Sequence, residues 1–317
     1  MTAAVTVARS SSAPSVVHVH AEDGRARAAR TELPPLSPRM QLMRFFSAFV
    51  FALSFAMLLQ LTVVSRLQHS SAQQRMFDSF RSVLAKGSAP IGPTDEQGGP
   101  LALGTPVAYL EIPTLGLREV VGEGTTAGVL FDGPGHRRDT VLPGQVGTSV
   151  VMARRAAFGG PFDGIAGLKK GARLTFTTAQ GVYQYVVIGV RGDGAPLPPA
   201  PKAGSSRLVL VTAAGRPFLP SGLIRVDADL VGQPTGGPAR LFTEDTLPGA
   251  ERPLANDSST MWALVMWLQA LTVLCVGFVW AWPRWGRAQA WVVFIPLLLL
   301  VGLAVAGEVA RLLPNLT

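Results

Sequence analysis

The chain has 317 residues, a formal net charge of +8 and a hydrophobic content of 48%, but only 15% of its residues are charged. Soluble domains carry about 25% charged residues, so this composition favours a protein with membrane segments. The single cysteine excludes an intramolecular disulfide framework and a cysteine-rich zinc site, and four histidines leave little material for a metal centre. We therefore expect neither a metal nor a cofactor.

The positive charge is concentrated beside the apolar runs of the chain. Residues 1–66 hold 7 basic and 3 acidic residues, whereas residues 67–260, the part able to form a globular domain, hold 18 and 16. A nucleic-acid-binding domain would concentrate basic residues on its folded part. The distribution therefore argues against a nucleic-acid partner and is typical of the positive flanks of membrane helices.

The N-terminal third begins with a polar tail and continues into an apolar run. Residues 1–43 mix Ala, Ser, Pro and Arg without a sustained apolar period, which predicts a disordered cytoplasmic tail. Residues 44–66 follow as the first predicted transmembrane helix, since their uncharged run is long enough to cross a bilayer. The run starts too late and is too long for a cleaved signal peptide, so we expect an uncleaved anchor. Residues 67–104 are predicted to form a short amphipathic helix and a linker.

Between the apolar runs, residues 105–231 have the pattern of a β domain, and residues 232–260 are predicted to be a second linker. Short runs rich in β-branched and aromatic residues alternate with glycine and proline. This pattern favours a mainly β fold, a closed barrel or a sandwich, over a parallel α/β sheet. The predicted strands are 107–112, 149–152, 173–178, 182–190, 207–212 and 223–230, with one short helix at 162–168.

Two further membrane spans are predicted after the β domain. Residues 261–282 are uncharged and rich in tryptophan, and residues 290–312 begin with a third long apolar run. The loop 283–289 between them carries two arginines, so it should be cytoplasmic by the positive-inside rule, as should the N-terminal tail. Three crossings of the plasma membrane would then place the β domain and residues 313–317 outside the cell.

Four stretches of the β domain form a distinctive series: the opening strand at 109–117, the glycine- and proline-rich segment 133–144, the strand and loop 149–162, and the strand 208–213. Together they resemble sortases, the membrane-anchored cysteine transpeptidases of Gram-positive bacteria. Each stretch alone is a weak signal, but the four occur in the family's order and spacing. An actinobacterial, class E-like member is the nearest type. The resemblance implies a sortase-like closed β-barrel.

The resemblance also identifies the positions where sortases carry their catalytic residues. Sortase chemistry uses a thiolate nucleophile, a histidine that moves protons and an arginine that stabilises the oxyanion. Ala213 stands at the cysteine position and Arg154 at the histidine position, while the arginine position falls near Leu223, with Arg225 two residues further on the same strand face. An alanine methyl cannot attack a carbonyl, and a guanidinium stays protonated at neutral pH. We therefore expect no catalytic residues, and we expect that the protein is not an enzyme.

The groove that binds substrate in sortases can still hold a peptide through backbone hydrogen bonds and apolar pockets. The candidate groove residues are Arg154, Arg155, Thr212, Ala213, Arg225 and His136. The two adjacent arginines could clamp a carboxylate or a lipid headgroup, or form an ordinary solvated pair at a strand end. Thr212 should point to the face opposite Ala213. His136, in a glycine-proline turn, is more typical of a structural residue.

These observations predict a multi-pass membrane protein whose catalytically inactive, outward-facing barrel acts as a binding or scaffold module. Its partners would be the lipid bilayer and a secreted or membrane protein of the cell envelope. A second hypothesis is a sortase-like transpeptidase or hydrolase that uses a non-cysteine nucleophile. A third is a membrane-complex assembly subunit whose spans carry the function and whose barrel is a cap.

Overall fold

The structure is a computed structural model that describes residues 37–317. Most of the predicted cytoplasmic tail, 1–43, therefore lies outside the described residues. The barrel and the groove lie in one compact unit, Ser47–Thr317.

The N-terminal helices run into one another without a break. Helix α1 (Pro38–Leu59) passes through a π-helical turn (Gln60–Val64) into helix α2 (Ser65–Lys86). Helix α2 ends at Gly87, whose φ of 69° gives the left-handed C-cap for which glycine is favoured. One face of α2 is buried through Ala72 and Phe80, because it packs against the first strands of the β domain.

Eight strands close into a barrel, which confirms the predicted fold class. In chain order they are β1 (Pro106–Ile112), β2 (Leu117–Glu123), β3 (Gly135–His136), β4 (Gly147–Met152), β5 (Arg173–Thr178), β6 (Gly181–Arg191), β7 (Ser206–Arg216) and β8 (Leu219–Val231). Around the barrel the order is β1-β2-β3-β4-β7-β8-β6-β5. The β2–β3 and β4–β7 pairs are parallel, and the other pairs are antiparallel.

The sequence pattern missed strands β2 and β3 and the helix α3 (Ala127–Asp132). Strand β2 mixes exposed charges with buried valines, and β3 is only two residues long, so neither shows a readable alternation. Helix α3 is too short for a helical period and begins at Thr126, whose hydroxyl accepts a hydrogen bond from the Val129 N–H. The short helix expected at 162–168 is a 3-10 turn, Asp163–Gly167.

Strands β7 and β8 separate two apolar regions on opposite faces of the sheet. Leu210 lies in the barrel core, whereas its neighbours Val209 and Val211 lie in a second cluster on the outer face. This outer cluster contains Leu130, Met152, Val209, Val211, Ala213, Leu223 and Leu316. The groove described below is built on it.

The C-terminal helices α4 (Met261–Trp285) and α5 (Arg287–Leu312) pack on each other and on α1. Leu271 and Val305 are buried between them, while apolar side chains such as Trp262 remain exposed on the outside of the bundle. Among the described residues, three helices are each long and apolar enough to cross a membrane: α4, α5 and the continuous N-terminal helix that begins in α1.

The segment between the barrel and α4, residues 232–260, packs along the barrel surface. The buried carboxylate of Glu251 pairs with the guanidinium of Arg138. The Thr125 hydroxyl donates a 2.6 Å hydrogen bond to the Glu251 carbonyl. These contacts fix the predicted linker against the barrel beside helix α3.

Candidate functional site

The parallel strands β4 and β7 bring Arg154 and Ala213 to the same end of the barrel. Met152 pairs with Val211 in the register of these strands. Arg154 and Ala213 each lie two residues further along, so both continue the outer face on which Met152 and Val211 lie. The two positions singled out in the sequence therefore face one groove.

Arg154 is fully buried and lies against two aromatic rings. Its guanidinium carbon lies 4.5 Å from the ring centroid of Phe131 and 5.2 Å from that of Phe158. The two rings stack on each other with centroids 3.9 Å apart. Burial lowers the pKa of Arg154 from its ordinary value to about 9. The group therefore still carries its positive charge at neutral pH.

The buried guanidinium is only partly satisfied by hydrogen bonds. Its Nη1 donates to the main-chain oxygen of Thr317 over 2.9 Å. Within residues 37–317, its Nε and Nη2 are buried without a hydrogen-bond partner. A buried charge with open donors is costly unless a partner completes it. The site therefore favours an oxygen-rich or anionic group beside Thr317.

Residues 313–317 occupy the groove. Leu316 is completely buried in the outer cluster together with Ala213 and Leu223. Its carbonyl accepts a 3.0 Å hydrogen bond from the main-chain N–H of Arg155, next to the contact between Arg154 and Thr317. Two successive carbonyls are thus held by fixed donors while one apolar side chain fills a pocket. This is the pattern of a peptide bound in a groove.

Asn315 fastens the same segment to the rest of the protein. Its side-chain Nδ2 donates to the carbonyls of Thr125 (2.9 Å) and Arg252 (3.0 Å). Its main-chain N–H donates to the Ala255 carbonyl over 3.0 Å. The segment then closes a tight turn, because the Thr317 N–H donates to the Pro314 carbonyl.

A strained loop, residues 158–160, also contacts Arg154. Phe158, Gly159 and Gly160 are consecutive residues with positive φ, of 52°, 79° and 55°. A positive φ is unfavourable for a residue other than glycine, but at Phe158 it places the ring, which is 1% exposed, against the Arg154 guanidinium. A Cβ at Gly159 would lie 2.5 Å from Cδ2 of His69 on α2. The loop therefore needs glycine there to close against α2.

The remaining candidate residues have different roles. Arg155 Nη1 donates to the Gly215 carbonyl over 2.6 Å, which ties the loop to β7. Thr212 is buried and its hydroxyl donates to the Ala153 carbonyl over 2.9 Å, so this hydroxyl does not line the groove. Arg225 lies on the outer face, but its Nη1 is held by Asp193 at 2.8 Å.

His136 lies apart from the groove. It pairs with Val151 of the barrel core across β3 and β4, so it belongs to the opposite face. Nδ1 lies 2.8 Å from Oε2 of Glu123, and Nε2 lies 2.9 Å from the Val141 carbonyl. Two acceptors favour a ring that carries both protons. Burial alone would lower the pKa of His136, but the Glu123 carboxylate and these hydrogen bonds raise it above its ordinary value. The structure therefore corrects its inclusion among the groove candidates.

Sequence reasoning missed the residues that cover the groove, namely Phe131, Phe158, Leu316 and Thr317. The tail offers two apolar residues, Leu313 and Leu316, and this pattern does not indicate where the tail binds. Within residues 37–317, no group of three or more His, Cys, Asp or Glu residues is arranged to hold a metal ion.

Comparison with known proteins identifies the barrel. Residues 110–214 match the sortase domain. Among solved structures, the Sortase D5 transpeptidase of Clostridium perfringens is 20% identical, with a TM-score of 0.42 over 51% of this chain and 99% of that chain. Sortase E1 from Streptomyces coelicolor is 23% identical, with a TM-score of 0.36 over 40% of this chain and 91% of that chain. A sortase E mutant from Streptomyces avermitilis is 28% identical, with a TM-score of 0.35 over 48% of this chain and the whole of that chain. No curated protein matches significantly.

The domain match corrects one prediction made from the sequence. We expected that the protein is not an enzyme, and this was wrong, because residues 110–214 match a domain whose family consists of transpeptidases. Ala213 and Arg154 exclude cysteine and histidine chemistry at these two positions only. They do not exclude a reaction that uses other side chains. The central part of the chain is a closed eight-stranded β-barrel of the sortase fold, followed and preceded by helices able to cross a membrane.

Proposed function

We propose that this chain is an outward-facing membrane protein whose sortase-fold barrel binds a peptide segment of a secreted or membrane protein and holds it at the cell envelope. One observation carries the proposal: the Leu316 and Thr317 carbonyls are held by the Arg155 N–H and the Arg154 guanidinium beside Ala213. The chain's own residues 313–317 thus act as a ligand in cis. A partner segment would take the same place when these residues leave.

The geometry supports recognition that depends mainly on the peptide backbone. Two of the bonds reach main-chain carbonyls, which every peptide offers, and only the Leu316 pocket selects a side chain. The open Nε and Nη2 donors of Arg154 add a preference for an oxygen-rich or acidic group. The expected ligand is therefore a short segment with an apolar residue followed by such a group.

The proposed orientation rests on the distribution of charge. Arginines precede the first apolar run and lie between the last two, so the positive-inside rule assigns both regions to the cytoplasm. The barrel and residues 313–317 would then face outward. The resemblance to sortases favours a Gram-positive, actinobacterial cell as the source. A cysteine-accessibility map of the full chain in intact cells would test the orientation.

The domain match favours a second candidate, cleavage or transfer of the bound peptide by a group other than cysteine. Thr212 is a poor choice for the nucleophile, because its hydroxyl already donates to Ala153 and faces away from the groove. Binding and turnover can be measured in the same samples, so one experiment addresses both candidates.

The test uses the full chain in lipid nanodiscs and a fluorescent peptide with the sequence of residues 311–317. Leu316→Asp should expel the chain's own segment and allow the peptide to bind, as seen by fluorescence anisotropy. Adding Arg154→Met should weaken that binding at least tenfold, while adding Arg225→Ala should not, since Arg225 is held by Asp193. Absence of peptide binding, or equal binding by all variants, would overturn the proposal. Mass spectrometry of the peptide would report cleavage or transfer.

A further inference from the structure

A cavity of about 500 Å³ lies where the barrel meets the helices. One face of α2, the short helix α3 and the last turn of α5 line it, and it is open to the surroundings of the protein. It is separate from the contacts that hold residues 316 and 317, although the Phe131 ring borders both. Its volume is in the range of pockets that bind small molecules.

In the proposed membrane orientation, the cavity lies at the level of the bilayer surface. Its inner end is formed by Val64, the last residue of the π-helical turn, and by Leu67 of α2, at the point where the first uncharged run ends with Ser65. On α5 it is reached by Arg311, beyond the apolar run that ends at Gly307. Two independent helices therefore change from apolar to charged at this level, as helices do at a bilayer interface.

The α2 wall changes in polarity along its length. Val64, Leu67, Ser71 and Arg75 follow one another at helical spacing on one face. They present apolar carbon at the membrane end, then a hydroxyl, then a guanidinium at the outer end. A phospholipid has the same order of groups, from acyl chain through glycerol to phosphate.

The charged groups suit a phosphodiester with an amine. Arg75 and Arg311 supply two guanidinium groups and Asp132 supplies one carboxylate. Arg311 Nε also lies 3.7 Å from Oε2 of Glu308, so the Glu308 carboxylate partly neutralises the charge of Arg311. Desolvation raises the pKa of Asp132 above its ordinary value, although Arg75, His69 and Arg311 each lower it. An ammonium group beside Asp132 would stabilise the carboxylate, whereas a second phosphate would be repelled.

We propose that this cavity binds the headgroup of an outer-leaflet phospholipid with an amine, such as phosphatidylethanolamine. Its phosphodiester lies between Arg75 and Arg311, its amine faces Asp132, and its acyl chains leave past Val64 and Leu67. The lipid joins α2, α3 and α5 on the membrane side of the barrel. This inference rests on the proposed membrane orientation and not on peptide binding by the groove.

The test measures lipid retained by the purified full chain. The protein is delipidated in detergent, incubated with phosphatidylethanolamine, and analysed by native mass spectrometry for bound lipid. Arg75→Gln and Arg311→Gln should each reduce the occupancy at least tenfold. Ser71→Trp should do the same by filling the cavity while keeping both arginines. The matched control is Arg66→Gln, an exposed arginine of α2 that does not line the cavity, and it should retain the lipid.

Two further arms identify the ligand chemistry. Soluble glycerophosphoethanolamine, which lacks acyl chains, should bind at least tenfold more weakly than the lipid. In the second arm, Asp132→Asn should remove the preference for phosphatidylethanolamine over phosphatidylglycerol. Equal lipid occupancy in wild type and all cavity variants would overturn the proposal, as would equal binding of the soluble headgroup. Peptide anisotropy on the same preparations separates this failure from failure of the peptide groove.

Discussion

Arg154 donates a 2.9 Å hydrogen bond from Nη1 to the main-chain oxygen of Thr317, which lies 163 residues further along the chain. This contact joins the end of strand β4 to the segment that follows the last predicted membrane span. It covers the outer barrel face beside Ala213 and gives a buried cation its hydrogen-bond acceptor. The occupancy of the groove is therefore linked to the charge of Arg154.

Burial of this charge should appear in the pH dependence of stability. The pKa of Arg154 is about 9 in the folded protein, well below its value in the unfolded chain, so above about pH 9 the unfolded chain binds more protons. Stability should therefore rise with pH above about 9. Relative to Arg154→Met, the free energy of unfolding of the wild type should increase by about 2 kcal/mol from pH 8.5 to 10.5. Denaturant titrations of both proteins would measure the difference, and parallel curves would contradict it.

Leu316 should hold the segment 313–317 in place. Leu316→Ala removes a fully buried side chain from the outer cluster, a change that costs about 2–5 kcal/mol in protein cores. The loss should appear as local release, with faster hydrogen exchange at the Arg155 amide that bonds the Leu316 carbonyl. Leu313→Ala, at a partly exposed position of the same segment, is the control and should leave this amide protected. Unchanged exchange in Leu316→Ala would argue against a held segment.

Gly159 should be intolerant of any side chain. Its φ of 79° is unfavourable for other residues, and an added Cβ would lie 2.5 Å from the His69 ring. Gly159→Ala should lower the free energy of unfolding by about 1–3 kcal/mol. Gly167→Ala is the matched control, because a Cβ there would meet open space and the residue lacks a positive φ. Equal melting temperatures for the two variants would show that the loop does not need its glycine.

The His136–Glu123 pair should stabilise the barrel at low pH. The pKa of His136 is raised in the folded protein, so the contribution is complete below the unfolded value of 6.5 and is lost as pH rises through the higher folded value. The double variant His136→Gln/Glu123→Gln removes both charges and should flatten this part of the pH profile. Melting temperatures between pH 5.5 and 8.5 would measure it. A profile with the same slope in wild type and double variant would exclude the pair as its source.

The sequence pattern predicted a closed barrel or a sandwich, because most of the strands are rich in β-branched and aromatic residues and stop at glycine or proline. The resemblance to sortases then favoured the closed barrel. Strand β3 escaped detection because two residues, Gly135 and His136, contain no period. The face of the sheet on which His136 lies could not be predicted from the sequence either, because it depends on the pairing of His136 with Val151. The resemblance to sortases supplied Arg154 and Ala213 as neighbours, which strand periodicity alone could not do.

The covering of the groove could not be predicted from local pattern. Thr317 and Arg154 are 163 residues apart in the sequence, and the composition of a short tail does not indicate which surface it will bind. The aromatic rings over Arg154 come from α3 and from a loop with positive φ, two features that hydrophobic periodicity does not register. Long-range contacts of this kind require the folded chain.

A thiol placed at residue 213 would report directly on whether a peptide segment covers the groove. The protein would carry Cys275→Ala, to remove the native cysteine, together with Ala213→Cys, and its alkylation rate would be measured in nanodiscs. We expect slow alkylation with the native tail, at least tenfold faster alkylation after Leu316→Asp, and slow alkylation again when the peptide of residues 311–317 is added. The same rate in all three samples would show that no peptide segment binds beside residue 213.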